Sequence, residues 1–158
     1  MDAVAAWQGR ELPAGRVVPR DNLHVTLAFL GSRPAEELAS IVAALGDAGA
    51  AARTPRLTIR EYRESRSAGM LVLEDEGGHA AALADDVQAR LEQLGVYRRE
   101  QRPWLPHLTV VRYRQRPRLR PRLPEIDSVV PSDAAVYLSR LRPSGAQYEV
   151  VDVVGLGG

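Results

Sequence analysis

Apolar residues occupy every odd position from 23 to 29 in the run LHVTLAFL, with His24 and Thr26 between them. That alternation predicts a β-strand over residues 23–30, closed by Gly31. Ser32 and Pro34 then open a helix, with Glu36 and Glu37 in its first turn. Its apolar stripe is Leu38, Ile41, Val42 and Leu45, and Gly46 and Gly49 are expected to end it. Residues 57–62 and 70–73 read as two strands around a polar turn over residues 64–69. Gly77 and Gly78 precede another helix, whose face is Leu83, Val87, Leu91 and Leu94 and whose stop is Gly95. A strand over residues 108–113 follows, then a proline- and arginine-rich connection over residues 115–124. Strands over residues 134–141 and 148–154 close the chain, with Pro143, Ser144 and Gly145 turning between them. At the start, residues 4–12 suggest the end of a short helix and residues 16–18 a brief strand.

Strands interspersed with helices, in two halves that resemble one another, point to a pseudo-duplicated α+β fold. Each half offers one strand carrying the same pattern. The first is His24-Val25-Thr26-Leu27; the second, 83 positions later, is His107-Leu108-Thr109-Val110. Side chains alternate across a strand, so His and Thr leave one face together while the apolar partners enter the other.

Composition narrows the chemistry. The chain has 158 residues and no cysteine, which excludes disulfides and thiolate metal sites. No stretch approaches a membrane span, and the first residues lack the basic start and apolar run of a signal peptide. A cytoplasmic location is the expectation. Every basic residue is arginine, for which codon bias is the plain explanation. Residues 98–122 hold nine arginines and one acid, giving this stretch +8 and the remainder −7. A basic stripe beside the second motif suits a polyanion, and it equally describes a solvated loop.

Two histidines in identical strand context fit general acid–base catalysis, because imidazole titrates near neutrality. No histidine is spaced to chelate with another, no His-Glu-x-x-His occurs, and no glycine-rich phosphate loop precedes a helix. The sequence therefore predicts no metal and no cofactor. The threonine hydroxyls and arginine can hold phosphate oxygens. His79 reads as a surface residue.

The run NLHVTLAFLG at residues 22–31 resembles the first signature of the RNA 2′,3′-cyclic phosphodiesterases, also called 2′-5′ RNA ligases, of the LigT-like two-histidine phosphoesterase superfamily. RPWLPHLTVVR at residues 102–112 resembles the second, and residues 138–149 are similar to the family's closing hairpin. The resemblance covers nearly the whole chain. It implies one bilobal domain over residues 1–158, two antiparallel sheets facing a central cleft with helices outside, and His24, Thr26, His107 and Thr109 meeting there. It implies metal-independent hydrolysis of RNA 2′,3′-cyclic phosphate ends to 2′-phosphates. Separately, a monomer is expected. His107 would be the base toward water and His24 the acid toward the 3′ oxygen, with Thr26, Thr109 and Arg112 binding substrate. Alternatives are a cyclic phosphodiesterase acting on a small nucleotide and a non-catalytic RNA-binding module.

The sequence departs from the family in three places. Its first residues match the helix that follows the family's opening strand, so that strand is expected to be missing and the domain truncated. Leu105 stands where many relatives carry a basic or polar residue. Arg112 matches a family arginine, but simple alternation from His107 puts it on the wrong face unless the strand bulges or ends there. Of the remaining candidates, Phe29 shares the parity of Val25 and is expected in the core. Tyr148 is also read as core. Trp104 is a packing aromatic or a base-stacking one, and Arg114, Arg116, Arg118 and Arg120 would steer RNA.

Overall fold

The computed structural model describes residues 1–142 and 145–157, so the proposed Pro143–Ser144 turn lies outside the described residues. The chain forms two compact units, each assembled from three separated segments. The first comprises residues 1–26, 57–74 and 105–129; the second comprises 27–56, 75–104 and 130 onward. Three α-helices and two antiparallel sheets make an α+β fold.

In the first unit, α1 (Asp2–Glu11) is rich in alanine, the strongest helix former, and turns Val4, Trp7 and Gln8 inward at i, i+3, i+4. It covers a sheet of order β1-β4-β3-β2, formed by β1 (Arg16–Val17), β2 (Arg56–Glu64), β3 (Ala68–Glu76) and β4 (His107–Arg112). Trp7, Leu57, Leu71, Leu108, Val110 and Val111 are fully buried. Burying each such side chain stabilises the unit by roughly 1.5–3 kcal/mol. Strand β4 is central, paired antiparallel with β1 on one edge and β3 on the other.

The strand expected over residues 23–30 is almost entirely absent. After β1 the chain leaves the edge of β4, makes a 3-10 turn at Arg20–Asn22, and returns for one bridge, Val25 to Leu108. The remaining residues turn away, and Leu27, Ala28 and Leu30 pack into the core of the second unit. Phe29 is 78% exposed, contrary to the core placement expected. Its parity with Val25 held only if the strand continued.

The second unit joins α2 (Leu38–Ala51) and α3 (His79–Gln93) to a hairpin of β5 (Asp133–Arg142) and β6 (Gly145–Gly155). Ile41, Leu45, Leu83, Val87 and Leu91 interlock in its core. Helix α2 begins after a 3-10 turn at Ala35–Glu37, which leaves Leu38 outside the buried stripe. It also runs through both glycines expected to end it. At Gly49 the reason is close packing, since a Cβ there would sit 2.5 Å from Val154 Cγ1. Helix α3 starts where the Asp75 carboxylate accepts the N–H groups of Ala80 and Ala81, at 3.2 and 2.8 Å. It stops at Gly95, whose φ of +71° admits paired bonds from Gly95 N to Glu92 O and from Val96 N to Leu91 O. Val96 is therefore buried where Leu94 was expected, and Leu94 is exposed.

Candidate active site

Both His-x-Thr motifs belong to the first unit, on neighbouring segments. The antiparallel bridge of Val25 to Leu108 sets Thr109 opposite His24 and His107 opposite Thr26. All four side chains then leave one face, while Leu108 is wholly buried on the other. Directly opposed residues in such a ladder lie about 4.5–5.5 Å apart at Cβ, and diagonal ones roughly 7–8 Å. His24 and His107 are the diagonal pair.

The two rings are held alike. His24 Nδ1 lies 2.8 Å from the Asn22 carbonyl, and His107 Nδ1 lies 2.8 Å from the Leu105 carbonyl. A carbonyl can only accept, so each Nδ1 carries the proton and donates it. In the neutral ring the lone pair is therefore on Nε2; in the charged ring Nε2 carries the second proton. Each imidazole thus exchanges protons through Nε2, and the same two-residue reach back to the main chain sets both orientations. Strand β3 fixes the base of the second ring, where Leu73 N donates to Pro106 O at 2.9 Å. His24, His107 and Thr109 are half-buried, and Thr26 is exposed.

Strand β4 bulges beside the site. Thr109 pairs with Met70 but Val111 pairs with Gly69, so Val110 is an extra residue. Val110 and Val111 are both buried, and alternation restarts beyond them. Arg112 thereby regains the parity of His107 and Thr109. It is exposed and has no acidic partner among the described residues.

Sequence reasoning missed Gln8. Its side chain crosses from α1, 2% exposed, and Nε2 donates to Val18 O at 2.9 Å and to Val110 O at 2.7 Å. Val110 O also accepts from Val18 N at 3.0 Å. Gln8 therefore staples the bulge in β4 to the point where the chain departs toward His24. Its only sequence signal is a polar residue on the apolar stripe of α1.

Three other candidates belong to the second unit. His79 is the half-buried first residue of α3, in the second unit. Trp104 is half-buried in the same unit. Tyr148 is half-buried on β6, not core, and meets Tyr137 edge-on with centroids 6.0 Å apart. Among the described residues no three His, Cys, Asp or Glu side chains group as metal ligands, and no helix is long and apolar enough to cross a membrane.

Comparison with solved structures returns the same fold. The chain is similar to Escherichia coli LigT crystallised with 3′-AMP, at 22% identity, TM-score 0.80, and coverage of 99% of this chain and 91% of that one. It is similar to TT0787 of Thermus thermophilus, at 29% identity, TM-score 0.81, and coverage of 99% and 93%. A crystallised phosphoesterase matches at 25% identity and TM-score 0.79, covering 99% and 91%. Among curated proteins nothing matches. Residues 2–142 fit the model of the 2′-5′ RNA ligase superfamily. A phosphoesterase-type fold and a family match over nearly the whole length together settle the lineage: this chain belongs to the 2′-5′ RNA ligase superfamily.

Proposed function

We propose that the protein hydrolyses the terminal 2′,3′-cyclic phosphate of RNA to a 2′-phosphate, with His24 and His107 as the acid–base pair. The observation that carries this reading is the duplication on one face: two histidines, each with Nδ1 donating to the carbonyl two residues back, diagonal across an antiparallel bridge. Membership of the superfamily supports it, as does the 3′-AMP bound to LigT, a nucleotide with phosphate at its ribose end.

The reaction needs two proton transfers. His107 Nε2, unprotonated, takes a proton from water as the water oxygen attacks phosphorus. The phosphorus–O3′ bond breaks, and the Nε2 proton of His24 passes to O3′, leaving a 2′-phosphate and a 3′-hydroxyl. The Thr26 and Thr109 hydroxyls donate to the nonbridging oxygens, and the Arg112 guanidinium offsets the charge gathering on them. One imidazole enters neutral and the other charged, so each turnover restores the pair after proton exchange with water. With both transfers supplied by side chains, no metal ion is required.

The test is turnover of an oligonucleotide ending in a 2′,3′-cyclic phosphate, with EDTA present, and identification of the product. A 2′-phosphate is expected. Activity abolished by EDTA and restored by zinc would refute the mechanism. A cyclic mononucleotide turned over far better than the oligonucleotide would move the reading to a small-nucleotide enzyme.

A further inference from the structure

The connection that follows β4 carries arginine at every second position, Arg114 to Arg122, yet it is not a loose tether. At the end of β2, Glu64 has a side chain only 3% exposed. Its carboxylate accepts Leu119 N at 2.7 Å, Arg118 N at 3.0 Å and Arg116 Nε at 3.0 Å. Arg118 has φ +58°, outside the usual range for a side chain, so successive N–H groups converge on the carboxylate as a nest. Burial alone would raise the pKa of Glu64, but these bonds outweigh it and the net shift is downward. Farther along, Arg122 N donates to Glu11 at 3.1 Å, and Arg122 O accepts from the Trp7 indole at 2.6 Å. Three prolines, at 117, 121 and 124, stiffen the rest.

The acids that fix this segment leave most of its charge unspent. The Arg116 guanidinium is committed to Glu64, whereas those of Arg114, Arg118, Arg120 and Arg122, all exposed residues, form no ion pair among the described residues. Arg60, Glu61 and Arg120 line a shallow depression between β2 and the connection. The segment is also continuous with the strand that carries His107, Thr109 and Arg112.

We infer that Glu64 holds the connection as a preformed rail for the backbone of single-stranded RNA. Arg114, Arg118, Arg120 and Arg122 contact phosphates upstream of the end that enters the site. The inference rests on the RNA-end reading above for its substrate. Charge complementarity and continuity with β4 favour RNA over an anionic lipid surface, which would call for more exposed apolar side chains than Leu123 supplies.

Binding separates this from the chemistry. A single-stranded oligonucleotide with a plain 3′-hydroxyl is titrated by fluorescence anisotropy at 50 and 200 mM salt. About 0.7 counterions are released per phosphate on a single strand, so four arginines should steepen the wild-type loss across that range about fifty-fold relative to the Arg114→Gln, Arg118→Gln, Arg120→Gln, Arg122→Gln variant. Glu64→Gln sharpens the test. It adds one positive charge to the net balance, so a mere polyelectrolyte tether would bind RNA as tightly or more tightly. A rail that needs both carboxylate oxygens should bind at least several-fold more weakly, in protein verified as folded by circular dichroism. The arginine variant changes only exposed side chains and decides the matter should Glu64→Gln fail to fold. Equal salt slopes, undetectable oligonucleotide binding by the wild type, tighter binding by Glu64→Gln, or preference for phosphatidylserine vesicles would each overturn the inference. A wild type that binds the oligonucleotide but opens no cyclic end contradicts the proposed function and leaves the rail standing.

Discussion

His107 stands on a strand hydrogen-bonded along both edges, with β3 on one side and β1 with the Val25 bridge on the other. His24 has the same flanking pattern and the same Nδ1 bond, but the backbone ladder reaches its segment at the isolated Val25 bridge, between a 3-10 turn and a departing chain. Two arms alike in chemistry are thus unlike in support. Ring orientation comes from a local bond that each motif makes for itself; placement comes from neighbours the motif does not encode. The His107 arm inherits its position from the sheet. The His24 arm leaves the edge of β4 after Val18, where the Gln8 staple holds the chain.

The largest expected effect treats the arms as equal. His24→Ala and His107→Ala should each lower kcat/KM on a cyclic-phosphate oligonucleotide by about 10²–10⁴-fold, since one proton transfer fails in either case. The double variant should be little worse than the worse single one, because the pair acts as a unit. An effect confined to one histidine would break the equivalence.

The next distinguishes the arms. Gln8→Leu removes a buried donor shared by Val18 O and Val110 O; Val110 O keeps the Val18 N–H, so the loss falls on Val18 O, where an unsatisfied buried acceptor costs about 1–3 kcal/mol. Thermal denaturation should show the loss. Turnover of the folded variant should fall while KM changes less, because the His24 arm loses its register against β4. A fall in stability with kcat intact would show Gln8 to be structural only. Amide hydrogen exchange gives a gentler contrast: residues 24–26 should exchange faster than residues 108–111 of β4, reflecting one bridge against two bonded edges.

The smallest effect concerns acid. Glu64 has a folded-state pKa below its ordinary 4.5, so its contribution to stability is present above that value and is lost as pH falls through the lowered one. Glu64→Gln should therefore flatten the acid limb of the stability profile in that window, measured by denaturant unfolding. An unchanged limb would mean that the carboxylate bonds are no stronger than their counterparts in the unfolded chain.

The comparison also explains what could be read in advance. A two-residue period placed His24 with Thr26 and His107 with Thr109, because alternation is local and survives even where only one bridge forms. Strand length at the first motif was overestimated. Residues 27–30 are apolar enough for a strand, but the side chains of Leu27, Ala28 and Leu30 serve the second unit's core, a tertiary demand that no local pattern carries. The face of Arg112 depends on a bulge defined by β3 and by Gln8, elements distant in sequence. Gly49 was misread as a stop because close packing against Val154 gives glycine a reason to sit inside a helix. Glu64 was invisible because its partners lie more than fifty residues away.

The most direct test of the paired-histidine mechanism is the pH dependence of kcat/KM for a 2′,3′-cyclic-phosphate oligonucleotide, with EDTA present, in the wild type and both alanine variants. A bell-shaped profile is expected for the wild type. His107→Ala should lose the acid limb, where the base must be neutral, and His24→Ala the alkaline limb, where the acid must be charged, in whatever activity remains. A wild-type profile with a single limb, or variants that keep both limbs, would contradict two histidines dividing the proton transfers.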